Sequence, residues 1–308
     1  MTDNLIFDRS FSGIPGREEW LSPRLRRVIA PNPGPFTFTG TNTYIIGTGE
    51  VAVIDPGPEN DAHFYALKMA LRGDSVTHIF VTHTHKDHSP LAHRLREATG
   101  APVYAEGPHR AMRAWEEEQL APLEASNDLE FQPDHILHDG EKISGSGFTI
   151  EAIATPGHTA NHMVYALDKD QLLTGDHIMA WSTSIIAPPD GSMQAYFASL
   201  NKIGAREWQT LWPGHGGPIH DAARAIKGTI AHRRHREAQI MIALKDGPLA
   251  IPAIVEKVYI HLEKTMHGAA ALSVFAHLED LHARGQVKAE PAVTLHALYA
   301  SNQRSFNF

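Results

Sequence analysis

The heptapeptide THTHKDH at residues 82–88 constrains this chain most, because it places three histidines and one carboxylate directly after the apolar run Ile-Phe-Val. Side chains alternate along an extended segment, so His83 and His85 project to the same side and can hold one ion together. Asp87 could cap a following helix, and with His88 it can reach a second ion. Imidazole with a single carboxylate suits zinc best, with iron or manganese as the other choices. The heptapeptide therefore predicts a metal site.

Three later side chains share a second common setting. His158 in TPGHT, Asp176 in LTGDH and His215 in WPGHGG each follow a strand-like segment and a glycine, which lets the backbone turn sharply in a crowded centre. The alternatives are a His-rich surface turn at residues 82–88 and ordinary loop residues at the other three positions. The repeated setting, in sequence order behind the heptapeptide, favours one shared metal centre.

Composition limits the ligand chemistry and the partners. The chain of 308 residues has no cysteine, which excludes disulfides and thiolate metal ligands. Its formal charge of −8 gives no general electrostatic reason to bind nucleic acid or an anionic membrane. The N-terminal residues resemble no secretory signal, and no apolar run approaches the roughly 20 residues that span a bilayer. These features predict a cytoplasmic enzyme without a membrane partner.

The pattern of segments predicts two domains. Strand-like and helix-like segments alternate in the first two thirds, which indicates two sheets packed between helical layers, an α/β class. Three helices, at residues 231–244, 251–262 and 270–284, then precede a hairpin around residues 290–292, as in a winged helix. We therefore predict a catalytic domain at residues 1–230 and a winged-helix-like domain at residues 231–308. The acidic segment 111–130 is predicted to be a solvated helix and loop.

Taken together, these residues resemble the metallo-β-lactamase superfamily over about residues 28–230. The resemblance implies an αββα sandwich with metals at one edge between the sheets. It implies that two zinc ions share seven ligands, three for each ion and one bridging: His83, His85 and His158; Asp87, His88 and His215; and Asp176. Asp55 in VIDPG matches a position that supports a ligand histidine in the family. The alternative for Asp55 is a turn aspartate before proline.

The ligand set predicts hydrolysis. Seven ligands over two ions leave positions open for water, which is typical of a catalytic site. Zinc lowers the pKa of bound water from about 15.7 towards roughly 7, so a hydroxide bridging the metals could attack a carbonyl carbon or a phosphorus. We predict that Asp87 and Asp176 are catalytic as well as metal-binding. His177, next to Asp176, is predicted to support or pack behind the site.

The C-terminal pattern makes single-stranded RNA a candidate substrate. Residues 213–220 (PGHGGPIH), the segment HRRHRE at residues 232–237 and the winged-helix pattern resemble the β-lactamase-like endoribonucleases, which cleave single-stranded RNA. Arg233, Arg234 and Arg236 are the predicted phosphate contacts, with a solvated helix face as the alternative. Residues 231–308 carry nine Lys or Arg against seven Asp or Glu, a balance of only +2. This low charge weakens the RNA prediction.

Other functions stay open at this point. Phe36, Trp181 and Ile185 are predicted to line a pocket for a small-molecule ester, thioester, lactone or β-lactam, although ordinary packing explains them equally well. A function of another class is a nucleic-acid-binding regulator with an idle metal site, which the intact ligand set disfavours. The C-terminal domain is alternatively a cover for the active site or a homodimer contact.

Overall fold

Two β-sheets form the centre of the N-terminal domain in the computed structural model, which describes residues 5, 7–114 and 126–302. Seven strands in sequence order make the first sheet: β1 (Glu18–Ser22), β2 (Leu25–Ile29), β3 (Asn42–Thr48), β4 (Glu50–Ile54), β5 (Ser75–Phe80), β6 (Val103–Ala105) and β7 (His135–Ile136). Five strands, again in sequence order, make the second: β8 (Lys142–Gly145), β9 (Phe148–Ala154), β10 (Met163–Leu167), β11 (Gln171–Gly175) and β12 (Thr210–Pro213). Neighbours in sequence are therefore neighbours in each sheet.

Helices cover the outer face of each sheet. The helices α1 (Asp61–Ala70) and α2 (Leu91–Thr99) pack on the first sheet, and α3 (Met193–Gly204) and α4 (Ala222–Ala243) pack on the second. Successive residues of a strand face opposite sides, so Ile45 joins the helix-facing core while Ile46 joins the core between the sheets. The order helix, sheet, sheet, helix confirms the predicted αββα sandwich.

A third, three-stranded sheet belongs to the C-terminal domain. Its elements are β13 (Leu249–Ala250), α5 (Ile251–Val258), α6 (His267–Ala283), β14 (Val287–Glu290) and β15 (Leu298–Ser301), and the strand order is β13-β15-β14. Side chains such as Val255, Phe275 and Tyr299 give this domain a hydrophobic core of its own. The helices and the antiparallel β14–β15 hairpin confirm the predicted winged helix, although α5 ends four residues earlier than expected.

Helix α4 joins the two domains without a break. It begins at Ala222, where the Asp221 side chain accepts a hydrogen bond from the Arg224 backbone amide at 3.1 Å, and it continues to Ala243. The helix predicted at residues 231–244 is thus the second half of a longer one, because residues 222–230 contain no proline to stop it. The division at residue 230 stays a prediction.

Two further expectations concern the acidic segment and the membrane. Most of the solvated segment predicted at residues 111–130 lies outside the described residues. Among the residues that the structure describes, no helix combines the length and the apolar character needed to cross a bilayer.

Candidate metal centre and the cavity beside it

The first group of candidate ligands lies where strands of both sheets end. His83 and His85 follow β5, His158 follows β9, and Asp176 follows β11. The His83 Nε2 and His85 Nδ1 atoms are 2.9 Å apart, and His85 Nδ1 is 3.1 Å from His158 Nε2. One donor atom from each of the four residues lies within 4.8 Å of the others, so they can hold one cation together.

Asp87, His88 and His215 form a second group of three residues, whose donor atoms also lie within 4.8 Å of one another. His215 Nε2 lies 3.3 Å from His88 Nε2 and 3.1 Å from Asp87 Oδ2. Asp87 does not cap a helix, because α2 begins only at Leu91, and its carboxylate turns instead towards the two histidines. At 26% side-chain exposure, Asp87 is the candidate ligand in this group with access to solvent.

Asp176 connects the two groups. Its Oδ2 lies 3.6 Å from His158 Nε2, and its Oδ1 lies 3.3 Å from His215 Nε2 and 3.5 Å from His88 Nε2. Oδ1 is buried and has no hydrogen-bond partner. A Cβ atom on Gly214 would come within 2.8 Å of this oxygen, so the glycine permits the close approach. The structure thus brings all seven sequence-predicted ligands to one place.

The spacing of the donors fits a pair of divalent cations. Zinc–nitrogen bonds of about 2.0–2.1 Å in a tetrahedron place neighbouring donor atoms about 3.4 Å apart. The nitrogen–nitrogen distances of 2.9–3.3 Å within the two groups are close to that edge. The donors are imidazole nitrogens and carboxylate oxygens, which suit zinc, iron and manganese. The orphaned Asp176 Oδ1 is the kind of buried acceptor that a cation would satisfy.

Burial keeps the first histidines neutral. It lowers the pKa of His83 well below the ordinary value, with the nearby charges of His88 and His85 acting in the same direction. Burial and the charge of His158 lower the pKa of His85 to about 3, and burial also lowers the pKa of His158. Neutral imidazole is the form that binds a metal ion, so the environment favours binding at neutral pH.

Carboxylates dominate the electrostatics of the second group. Burial by itself would lower the pKa of His88, but Asp87 and Asp176 outweigh it and raise the pKa well above the ordinary value. In the same way burial is outweighed at His215, where Asp176 and Asp87 raise the pKa to about 9. The two carboxylates attract positive charge strongly, which a bound cation would supply in place of a proton.

Asp55 supports the second group from behind. Its Oδ2 lies 2.8 Å from His88 Nδ1 and accepts a hydrogen bond from the Thr82 hydroxyl at 2.7 Å, while Oδ1 accepts from the Thr82 amide at 2.7 Å. These contacts fix the ring of His88 so that Nε2 points to the donor cluster, which is the role implied for Asp55 by the resemblance. The Asn42 side chain similarly donates to the carbonyl oxygens of Pro213 and Gly216, on either side of His215.

Sequence analysis missed His162. This buried residue accepts a hydrogen bond from the Asp176 backbone amide at 3.2 Å, and its ring stacks on His83 at 5.1 Å between centroids. Its position four residues after His158 was the available signal, but the residue also reads as the start of a strand. His177 is buried behind the site against Tyr196, and both of its ring nitrogens lack partners. Burial, with the charge of His158, lowers the pKa of His177 to about 3, as expected for a packing residue.

A cavity of about 300 Å³ lies beside the donor cluster, between the two domains. The segment 181–185 borders both, because its Ile185 carbonyl lies 2.6 Å from His158 Nδ1 while Trp181 and Ile185 line the cavity. Phe36 also lines the cavity, and Trp181 stacks on Phe38 at 5.1 Å. The structure therefore brings the three side chains predicted for a small-molecule pocket around one cavity.

The three arginines predicted to contact phosphate do not share one surface. Arg233 and Arg236, three residues apart on α4, face the same way and line the cavity. Arg234 points elsewhere: it is half-exposed, pairs with Glu237 at 2.7 Å and packs over the Phe197 ring. Helical spacing places Arg233 and Arg236 on one side of α4 and Arg234 on another, but which side faces the cavity depends on how α4 lies between the domains.

Comparison with known proteins finds a match for each part of the chain. A sequence profile described as metallo-beta-lactamase superfamily matches residues 36–215, and one described as beta-lactamase associated winged helix domain matches residues 250–293. A solved structure described as a metallo-beta-lactamase family protein from Thermus thermophilus has a TM-score of 0.73 and 24% identity, covering 92% of this chain and 100% of that one.

Two relatives match about three quarters of the chain. The chain is 30% identical over 237 residues to a Caenorhabditis elegans protein named beta-lactamase-like protein 2 homolog, covering 74% of this chain and 73% of that protein. It is 31% identical over 233 residues to an Aspergillus aculeatus protein named atrochrysone carboxyl ACP thioesterase, covering 73% of this chain and 66% of that protein. The chain therefore spans about two thirds to three quarters of the length of these relatives.

Proposed function

This chain belongs to the metallo-β-lactamase superfamily, and from that premise we propose that it hydrolyses a small-molecule thioester or ester at a two-zinc centre. The predicted superfamily, the winged-helix domain and the assignment to the hydrolases are confirmed. The substrate class and the number and identity of the metals are the proposal. It rests above all on the aromatic-walled cavity beside the donor cluster.

The size and lining of the cavity favour a small organic acyl group. At about 300 Å³ it is within the range of small-molecule sites, and Phe36, Trp181, Ile185 and Tyr259 give it largely apolar and aromatic walls. Single-stranded RNA would instead require an open basic groove that follows many phosphates. Two of the three arginines predicted for that purpose line this cavity, so the small-molecule alternative is favoured over RNA.

The names of the relatives support the same substrate class. The Aspergillus aculeatus protein is named as a thioesterase, and so is a relative from Cryptosporiopsis sp. that is 30% identical over 234 residues. Hydrolysis of a thioester breaks its carbon–sulfur bond and forms a carbon–oxygen bond from water, giving a carboxylic acid and a thiol. The same donor cluster could act on an oxygen ester, which differs only in the leaving group.

Side chains of the donor cluster would hold the metal centre and move a proton in this reaction. Divalent cations bound there supply Lewis-acid chemistry and lower the pKa of water. His83, His85 and His158 hold one side of the centre, and Asp176 ties it to the other. Asp87 is the accessible carboxylate, so it can orient the attacking water, take a proton from it and return that proton to the leaving sulfur or oxygen.

A substrate panel with metal analysis tests the proposal. The full-length protein, purified with added zinc, is assayed for thiol release from benzoyl- and decanoyl-N-acetylcysteamine and for cleavage of a fluorescent single-stranded oligoribonucleotide. We expect close to two zinc ions per chain and thioester turnover that a chelator removes and zinc restores. The Asp176→Ala protein, prepared identically, controls for contaminating enzymes. RNA cleavage by the parent but not this variant, with no turnover of either thioester, would overturn the proposal.

A further inference from the structure

Buried arginines outside the cavity show what this fold normally provides for them. Arg26 is 3% exposed, and its guanidinium pairs with Asp74 at 2.6 Å and Glu18 at 3.1 Å. Arg27 is 1% exposed and pairs with Glu19 at 2.5 Å. A buried charge is costly unless an opposite charge and hydrogen bonds compensate it, and both arginines have such partners.

Arg233 is equally buried but has no carboxylate partner among the described residues. It is 3% exposed, donates one hydrogen bond to the Ser184 carbonyl and lies 5.4 Å from the centre of the Tyr196 ring. Its Nε is buried without a hydrogen-bond partner, as are those of Arg26 and Arg27, so the missing carboxylate is what distinguishes Arg233. The Arg233 guanidinium group is therefore held in place by neutral groups, and no carboxylate compensates its positive charge.

Arg236 repeats this arrangement one helical turn further along α4. It donates to the Val258 carbonyl at 2.9 Å and to the Gln239 side chain at 2.8 Å, and it packs over the Tyr259 ring at 4.0 Å. These partners are again neutral, and its Nε, like those of Arg26 and Arg27, is buried without a partner. Two adjacent guanidinium groups that share one cavity thus lack the carboxylates found beside Arg26 and Arg27.

Two more hydrogen-bonding atoms at the cavity are unpartnered. Trp181 Nε1, which is only a donor, and His232 Nδ1 are both buried without a hydrogen bond. Arg9 is a third arginine in the lining, and no aspartate or glutamate lines the cavity within the part of the chain that the structure describes. The cavity therefore combines positive charge with aromatic walls.

We propose that this interdomain cavity is an anion-binding subsite, in which Arg233 and Arg236 hold a carboxylate or phosphate group attached to an apolar or aromatic body. Guanidinium groups bind both anions through charge-assisted hydrogen bonds. Resting on the proposed function, the subsite deepens it: the substrate is an anionic acyl compound whose charged group lies in the cavity while its scissile carbonyl reaches the donor cluster.

Matched ligands test the subsite directly. Binding of naphthalene-2-carboxylate, 2-naphthyl phosphate and the uncharged naphthalene-2-carboxamide to the zinc-loaded, full-length protein is measured by calorimetry. We expect at least one anion to bind about tenfold or more tightly than the amide, because a hydrogen bond between charged groups is stronger than a neutral one. The preferred anion identifies whether the natural group is a carboxylate or a phosphate. Equal affinity for all three, or no binding of either anion at millimolar concentration, would overturn the subsite.

Arginine variants locate the binding. Arg236→Gln should weaken the preferred anion about tenfold or more and leave the amide unchanged. Arg234→Gln removes the same charge from the same helix outside the cavity, so it should bind like the parent. Arg236 is preferred to the fully buried Arg233 as the test position, since loss of the Arg233–Ser184 contact could unfold the segment 181–185. Equal weakening by both variants would mean that only long-range charge is involved and would refute the subsite.

Binding at the metals must be separated from binding in the cavity. The Asp176→Ala protein should keep its preference for the anion over the amide if the arginines hold the anion. If this variant loses the preference while the Arg236→Gln protein keeps it, the anion binds at the donor cluster. Thioester turnover without a preference for anions would leave the proposed function standing and refute the subsite. Anion binding without turnover of any thioester or ester would do the reverse.

Discussion

The donor cluster and the interdomain cavity are both built from largely buried polar side chains, but they attract charges of opposite sign. In the cluster the carboxylates of Asp87 and Asp176 attract positive charge, since they raise the pKa of His88 and of His215 above the ordinary value. Arg233 and Arg236 stand among neutral and aromatic groups in the cavity, so its excess charge is positive. A bound cation would replace the protons on these two histidines in the cluster. In the cavity, Arg233 and Arg236 have no carboxylate partner among the described residues, so an anion would supply the missing counter-charge.

The two regions also differ in how they are assembled. The cluster comes from loops at the ends of strands in one domain, where a rigid pair of sheets fixes each side chain. The cavity comes from an N-terminal segment, the loop at residues 35–36, the segment 179–185, α4 and the C-terminal domain. We therefore expect substitutions in the cluster to abolish chemistry, and substitutions around the cavity to change which molecules bind.

The largest effect is expected for Asp176→Ala. Its carboxylate reaches both ligand groups, so its loss should weaken both metal sites together and reduce kcat/KM for a thioester by about 10³-fold or more. Metal content by mass spectrometry and initial rates measure this. The control is Asp246→Ala, an exposed carboxylate of the C-terminal domain. A variant that keeps two ions and parental activity would contradict the bridging position.

A smaller loss is expected for Asp55→Asn. The amide cannot accept with both atoms as the carboxylate does, so the ring of His88 loses part of its support. Replacing such a supporting group typically costs about 10- to 100-fold in metal affinity or activity. Competition with a zinc-binding dye measures the affinity. If the variant loses one ion more readily than the parent and retains the other as the parent does, the assignment of His88 to the weakened ion is supported. If the variant retains both ions as tightly as the parent, the role of Asp55 is refuted.

His277→Leu separates stability from function at the domain junction. His277 is buried with both ring nitrogens unpartnered, and burial together with Arg233 lowers its pKa well below the ordinary value. Below about pH 6.5 the unfolded chain then binds more protons than the folded one, so stability falls as the pH falls. The leucine should remove at most about 2 kcal/mol of this loss between pH 7 and pH 5. Thermal unfolding across that pH range measures the stability, with the exposed His235→Gln variant as the control. A stability that falls with pH as steeply as in the parent would contradict the prediction.

The smallest effect is expected for Trp181→Leu, which alters the wall between the two regions. Loss of the stacked Phe38–Trp181 pair should raise KM for an aromatic thioester by up to about tenfold while kcat changes little. An acetyl thioester, which has no ring to contact, serves as the control substrate and should keep its KM. A fall in kcat with both substrates would show that Trp181 instead positions the adjacent loop at Gly216.

The difference in assembly also explains what the sequence could predict. His83 and His85 were predictable because two residues apart on an extended segment share a side, whatever the rest of the fold does. His158, Asp176 and His215 were predictable from a repeated glycine setting at strand ends. These patterns are local, and the seven candidate ligands meet because strand ends lie together at one edge of the sandwich.

The cavity could not be predicted in the same way. The helical period separates Arg234 from Arg233 and Arg236, but only the docking of the C-terminal domain determines that the latter two face a cavity. The hydrogen bond from Asp176 to His162 likewise depends on packing between β10 and the loop after β11. Long-range contacts of this kind leave no periodic signal, so the expectation of a shared phosphate-binding surface came from proximity in sequence alone.

The unbroken α4 has a consequence for how a molecule enters and leaves the cavity. A hinge between the domains would have to break backbone hydrogen bonds within a 22-residue helix rather than flex a linker. Exchange is therefore expected through the rim, where Arg9 and the half-exposed Phe36 ring face solvent. Side-chain and loop movements there occur in nanoseconds to microseconds, faster than domain rotation. Residence time in the cavity should accordingly follow the strength of the contacts inside it, with no slow gating step.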